Sequence, residues 1–191
     1  MKNFLLVGLG NPGKKYSNNR HNIGFQLIDY YLNDLNILGF KSKFESQYLS
    51  FEHMNNKIHI LKPETYMNES GKAVKECSNF YKIPISNIIS IYDEMDLQVG
   101  EMKIKHGGGS AGHNGIKSLI NNLSSEDFIR VRIGIGKPIN KNLVNKHVLS
   151  DFTPDELKSL DAIKNNISSV IEDLIINGLP FAMNKFNSKI Q

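Results

Sequence analysis

The stretch Phe4-Leu5-Leu6-Val7-Gly8-Leu9-Gly10-Asn11-Pro12-Gly13 decides the fold class. Residues 4–9 form an unbroken apolar run, the pattern of a strand covered on both faces, and Gly10-Asn11-Pro12-Gly13 ends it in a turn. Working outward, Ile23, Leu27, Ile28, Tyr31 and Leu35 fall at helical spacing up to Gly39. Residues 44–51 and 58–61 are expected as two strands around an Asn55-Asn56 turn, 68–81 as a helix ended before Pro84, and 88–92 as another buried strand. Met102-Lys103-Ile104-Lys105 alternates, which predicts a half-exposed strand with both lysines on one face. Residues 106–112 are glycine-rich, 114–123 reads as a short helix, and Arg130-Val131-Arg132-Ile133-Gly134 alternates again as a strand. Residues 137–142 are a polar loop. Thr153-Pro154-Asp155-Glu156 is a capping box opening a helix with Leu157, Leu160, Ile167, Ile171 and Leu174 on one face, ending near Gly178. No repeat, linker or disordered tail stands out. Strands and helices alternate, which predicts one α/β domain over residues 1–191 with a largely parallel or mixed sheet.

Composition narrows the setting. The length suits one domain with a core that needs no covalent staples. Cys77 is the sole cysteine, so no intrachain disulfide can form, which fits a reducing compartment. The N-terminal apolar run is too short for a signal peptide, and Asn11-Pro12-Gly13 follows where a cleavage site should lie. No stretch reaches the roughly 18 apolar residues of a membrane span. A cytoplasmic protein is expected. The net charge of +4 is compatible with a polyanionic partner.

Several segments have two readings. Gly8-Leu9-Gly10-Asn11-Pro12-Gly13 matches a dinucleotide fingerprint, but the next helical pattern starts only after His21 and no acidic residue ends a second strand at the right distance, so a nicotinamide site is rejected. Gly108-Gly109-Ser110-Ala111-Gly112 matches a nucleophile elbow, which would make Ser110 the nucleophile of a serine esterase with Asp127 and His147. Exposed lysines on the preceding strand and three consecutive glycines favour a flexible, substrate-facing flap instead. Arg20-His21-Asn22 puts an imidazole downstream of a strand end that presents Asn11, and Asp93 ends another buried strand. Strand ends of an α/β sheet can converge, and a carboxylate on one imidazole nitrogen makes the other a base for water. A metal on His21, Asp93 and His113 competes with this reading, but the chain has no ligand spacing to support it. Lys103, Lys105, Arg130 and Arg132, with Lys137 and Lys141 in the next loop, would suit phosphates if they share one surface.

With 23 asparagines in the chain, the order of motifs says more than any single residue. Gly8-Leu9-Gly10-Asn11-Pro12-Gly13, Tyr16 with Arg20-His21-Asn22-x-Gly24, Pro63-x-Thr65-Tyr66-Met67-Asn68-x-Ser70-Gly71, Tyr92-Asp93-Glu94-x-Asp96-Leu97, Lys103-x-Lys105, Gly107-Gly108-Gly109, Gly112-His113-Asn114-Gly115 and Arg130-x-Arg132-Ile133-Gly134-Ile135-Gly136 follow one another almost end to end. In this order they resemble the bacterial peptidyl-tRNA hydrolase family. Two departures are Asn19, where threonine is usual, and Ala111, where glycine is frequent. The resemblance implies a monomer with a twisted mixed sheet flanked by helices, no cofactor and no metal, and hydrolysis of the ester joining a peptide to the tRNA terminal ribose. It implies His21 as general base and Asp93 as its orienting partner. It implies substrate contacts at Asn11, Tyr16, Tyr66, Met67, Asn68, His113 and Asn114. Contacts to the acceptor stem and 3′ end of peptidyl-tRNA are implied at Lys103, Lys105, Arg132 and Lys141. A non-catalytic RNA-binding protein on the same scaffold is the other alternative.

Overall fold

A computed structural model of the chain describes residues 1–187. Seven strands form one sheet: β1 (Asn3–Gly8), β2 (Lys41–Lys43), β3 (Ser46–His53), β4 (Asn56–Pro63), β5 (Ile88–Glu94), β6 (Met102–His106) and β7 (Ile129–Gly134). Their order is β2-β3-β4-β1-β5-β7-β6. The central run β4-β1-β5-β7 is parallel, and the outer strands pair antiparallel with it, so the sheet is mixed around a parallel centre. The helices are α1 (Ile23–Asp34), α2 (Ser70–Phe80), α3 (Asn114–Leu123), α4 (Val144–Val148), α5 (Pro154–Ile176) and α6 (Leu179–Phe186).

Two apolar clusters lie on opposite faces of the sheet. Leu6, Ile60, Ile91 and Val131 pack with α1, α5 and α6. Leu5, Val7, Leu61 and Tyr92 pack with α2 and α3. Alternate residues of β1 thus feed different layers, which is why its sequence is apolar throughout. Among the described residues no helix is long and apolar enough to cross a membrane.

The capping box forms as expected, with Glu156 N donating to Thr153 Oγ1 and Thr153 N donating to Glu156 Oε2. Two expectations need correction. Leu157 is 41% exposed and does not join the buried face of α5, because it lies in the first turn, before the helix reaches the sheet. Beyond Gly178, where no element was expected, the chain forms α6; the last four residues, 188–191, lie outside the described residues. The polar segment after residue 137 contains a 3-10 turn (Lys141–Leu143) leading into α4.

Candidate active site

The site forms where β1 and β5 end side by side. Gly8 pairs with Ile91, and Leu9 N donates to Ile91 O at 3.0 Å. The chain then turns back into α1, which sits directly on these strand ends. A Cβ on Gly24 would lie 2.3 Å from Ile91 O and 2.5 Å from Leu9 N, so only glycine permits the approach. The 3-10 turn Arg20–Asn22, just before α1, is thereby held over the end of β5. Asn22 closes the loop: its Oδ1 accepts from Asn11 N at 3.0 Å, and its Nδ2 donates to Asn11 O at 2.9 Å.

This geometry brings His21 to Asp93, 72 residues away. His21 Nδ1 lies 2.8 Å from Asp93 Oδ1 and 2.9 Å from Oδ2. A second imidazole joins them: His113 Nε2 lies 2.8 Å from Asp93 Oδ1. His113 is also the N-cap of α3, its Nδ1 accepting from Gly115 N at 3.1 Å and Ile116 N at 3.2 Å. Those two amide donors fix its tautomer, with the lone pair on Nδ1 and the proton on Nε2, so His113 donates to Asp93. Asp93 is 2% exposed. Burial alone would raise its carboxyl; the charges and hydrogen bonds of His113 and His21 outweigh that and hold it below the usual carboxylate range. An ionised Asp93 takes the Nδ1 proton of His21 as a hydrogen bond. This leaves His21 Nε2 as a lone-pair nitrogen with no partner among the described residues.

The ligand atoms of His21, Asp93 and His113 all lie within 4.8 Å of one another, close enough to consider a cation. The hydrogen bonds speak against one: the proton on His113 Nε2 occupies the direction a metal would need, and the backbone amides at Nδ1 oppose a switch of tautomer.

The imidazole of His21 borders two connected hollows. A narrow one is lined by Glu94, Met95, Gly112, Val144 and Val148. The wider cleft, about 570 Å³, is lined by Asn11, Tyr66, Met67, Asn68, Asn114 and Asn145 together with Val148 and Leu149. Asn11 Oδ1 accepts from Met67 N at 2.9 Å, which leaves its Nδ2 as a donor on the cleft wall. The side chains of Asn68 and Asn114 are exposed and bond to nothing in the described chain. Asn145, Val148 and Leu149 were missed from the sequence. Val144 and Val148, one helical turn apart, were the available signal.

Tyr16 is half-buried on the 3-10 turn Lys14–Tyr16 and does not line either hollow, so the structure does not bring it to the cleft. The Ser110 alternative fails on geometry. Its hydroxyl bonds to no histidine or carboxylate. Asp127 is engaged with Ser125. His147 Nε2 points at Ile135 O and Gly136 O, 3.1 and 2.9 Å away.

The strand register pairs Lys103 with Arg132 and Lys105 with Arg130, so the four cations share one face. They are not equivalent. Arg130 is fully buried, contrary to the wet face its alternation suggests, because the flap folds over it. Arg132 is committed to Glu94, with Nε 3.0 Å and NH2 2.9 Å from Oε2. The Lys103 ammonium bonds to Asn187 O, beyond the end of α6. Lys105 has no such partner among the described residues. Desolvation and the neighbouring Arg130 and Arg132 lower its pKa. Lys141 is exposed at the start of its 3-10 turn. Of the two departures, Asn19 donates to Asp151 Oδ1 at 2.7 Å, and Ala111 adopts φ 48°, a conformation that glycine reaches at less cost.

A family model described as peptidyl-tRNA hydrolase matches residues 5–191. The peptidyl-tRNA hydrolase of Clostridium novyi (strain NT) is 46% identical over 184 residues, covering 96% of this chain and 97% of the relative. That of Clostridium botulinum (strain Alaska) is 48% identical over 184 residues, covering 96% and 95%. The crystal structure of peptidyl-tRNA hydrolase from Acinetobacter baumannii superposes with a TM-score of 0.92 at 34% identity, covering 97% of this chain and 94% of that one.

Proposed function

This chain belongs to the peptidyl-tRNA hydrolase family and hydrolyses peptidyl-tRNA, and we propose that it does so by water attack with His21 as general base. The observation that carries this mechanism is the bonding of His21: Nδ1 on Asp93, Nε2 at the cleft with no partner among the described residues. A water bonded to Nε2 gives up a proton to it as its oxygen attacks the ester carbonyl carbon. The carbonyl π pair moves onto oxygen, and the amide N–H groups of Asn68 and Asn114 stabilise that oxyanion. Such donors are worth about 10²–10³ in rate each. Collapse of the intermediate expels the ribose oxygen, which takes the proton back from His21 Nε2. Free tRNA and the peptide acid are the products. Asp93, ionised and buried, stabilises the transient imidazolium and keeps the base in the right tautomer.

Asn11 and Met67 form the wall against which the peptide is held, with Tyr66 at the rim. His113 acts on the substrate indirectly, through Asp93. The tRNA acceptor stem and 3′ end lie along Lys105 and Lys141, with Lys103 and Arg132 behind them. The enzyme works as a cytoplasmic monomer; the lone, buried Cys77 supports a reducing compartment.

The deciding experiment is His21→Ala. It abolishes release of peptide from purified peptidyl-tRNA while tRNA binding by filter retention persists. Ordinary turnover in that variant overturns the base assignment.

A further inference from the structure

Arg130 heads the fully buried side chains of the described residues by size. Desolvating a cation costs several kcal/mol unless its partners compensate. No carboxylate forms an ion pair with it among the described residues. Its partners are instead the Tyr92 side chain and two backbone carbonyls of the flap: NH1 donates to Gly109 O at 2.7 Å and NH2 donates to Gly108 O. Its guanidinium lies over the Phe128 ring, 4.6 Å from the centroid, and Nε has no partner among the described residues.

The flap has little else to hold it. Gly109, Ala111 and Gly112 are exposed. Its entry is tied by Gly107 N donating to Phe128 O, and its exit is His113, bonded to Asp93. Tyr92 lines the space between, its ring edge-on to His113 at 4.9 Å. The first turn of α3 holds His113 on one side, and His113 N donates to Ser110 O at 2.9 Å on the other, so a side chain that fastens Gly108 and Gly109 anchors the flap through which His113 is held from that second side.

We infer that Arg130 is a positioning residue: by gripping the flap carbonyls it places His113 on Asp93, and so fixes the carboxylate that orients His21. The inference rests on the general-base mechanism above. The titratable groups on Asp93 are His21 from the loop after β1 and His113 from the flap. Those facing Arg130 are Tyr92, Lys105 and Arg132, with Glu94 neutralising the last.

The test compares Arg130→Lys and Arg130→Met, each alone and combined with His113→Phe, using kcat and KM for peptidyl-tRNA across pH. Lysine keeps the charge but replaces the rigid planar fork with a single point donor group on a shorter reach, so it remains informative where the methionine variant fails to fold. We expect kcat to fall about tenfold or more with KM changed less than about threefold. The acid limb of kcat/KM moves to higher pH, because Asp93 with one donor fewer attracts the His21 imidazolium more strongly. On the His113→Phe background the Arg130 substitutions add no further loss. A folded Arg130→Lys enzyme with wild-type kcat and acid limb overturns the inference, as do additive losses in the double variant. A wild-type profile with no acid limb at all refutes the general-base mechanism itself.

Discussion

Asp93→Asn separates an oriented base from a merely nearby histidine. Both imidazole N–H groups converge on Oδ1 at 2.8 Å, and His21 Nδ1 stands 2.9 Å from Oδ2. His113 cannot turn its Nε2–H into an acceptor, because its other nitrogen already receives two backbone amides. An asparagine must therefore set its oxygen where Oδ1 was and its NH2 where Oδ2 was. His21 Nδ1 then keeps the oxygen at 2.8 Å but meets an NH2 where Oδ2 stood at 2.9 Å, and no carboxylate charge remains to stabilise the imidazolium. The ring proton is no longer held firmly on Nδ1, so the lone pair at the cleft loses both its fixed tautomer and its counter-charge. The loss reaches up to the whole general-base contribution, about 10²–10⁴ in kcat. At 1.36 kcal/mol per decade this is about 3–5 kcal/mol of transition-state stabilisation. The substitution is isosteric, so KM and the melting temperature change little. Single-turnover release of labelled peptide from purified peptidyl-tRNA reads kcat directly, with a thermal melt beside it. A variant with unchanged melting temperature and a kcat within about tenfold of wild type would refute the reasoning.

Two further outcomes are expected. His59 is 2% exposed, its Nδ1 lies 2.8 Å from Tyr48 Oη, and its Nε2 is buried without a partner among the described residues. Burial, aided by Lys57 and Lys43, pushes its pKa down from 6.5 to about 4. The unfolded chain thus takes up the extra proton first, so this stability is whole above about pH 6.5 and is lost as pH falls through 4. The loss by pH 5 is at most about 2 kcal/mol. Urea melts at pH 7 and 5 read it, and His59→Gln should shrink the drop; equal drops in both proteins would count against it. Lys105→Ala should raise KM for full peptidyl-tRNA more than for a short 3′-terminal fragment, and flatten the salt dependence by about one phosphate contact. Equal effects on the two substrates would remove Lys105 from the tRNA surface.

What the sequence made legible follows from where the physics is local. The apolar run of β1, the Thr153 capping box and the bounds of α3 depend on neighbouring residues, and all stand in the structure. The convergence of His21 and Asp93 was foreseeable because parallel strands put their carboxyl ends together. β2 was invisible: Lys41-Ser42-Lys43 has no strand pattern and is extended only because β3 pairs with it. α6 was missed although Gly178 and Pro180 carry the stop and start signals of consecutive helices. Arg130 misled because alternation reports which face a residue takes, and not whether a later loop covers that face. The tautomer lock on His113 is tertiary twice over, needing both the end of β5 and the first turn of α3.

Arg20 ties the His21 turn to the far end of the chain. Its guanidinium donates to Ser150 Oγ at 2.7 Å and Glu156 Oε2 at 2.6 Å, and its amide to Ser150 O at 3.0 Å. These contacts span 130 to 136 residues, so they close only once the start of α5 has been made. A copy of this enzyme still under synthesis is itself a peptide esterified to tRNA, the very linkage it cuts. Until Ser150 and Glu156 are in place, the turn bearing the base is tied on one side alone, through Asn22 and Gly24. A nascent copy that stops short of them carries its base on a half-fastened turn.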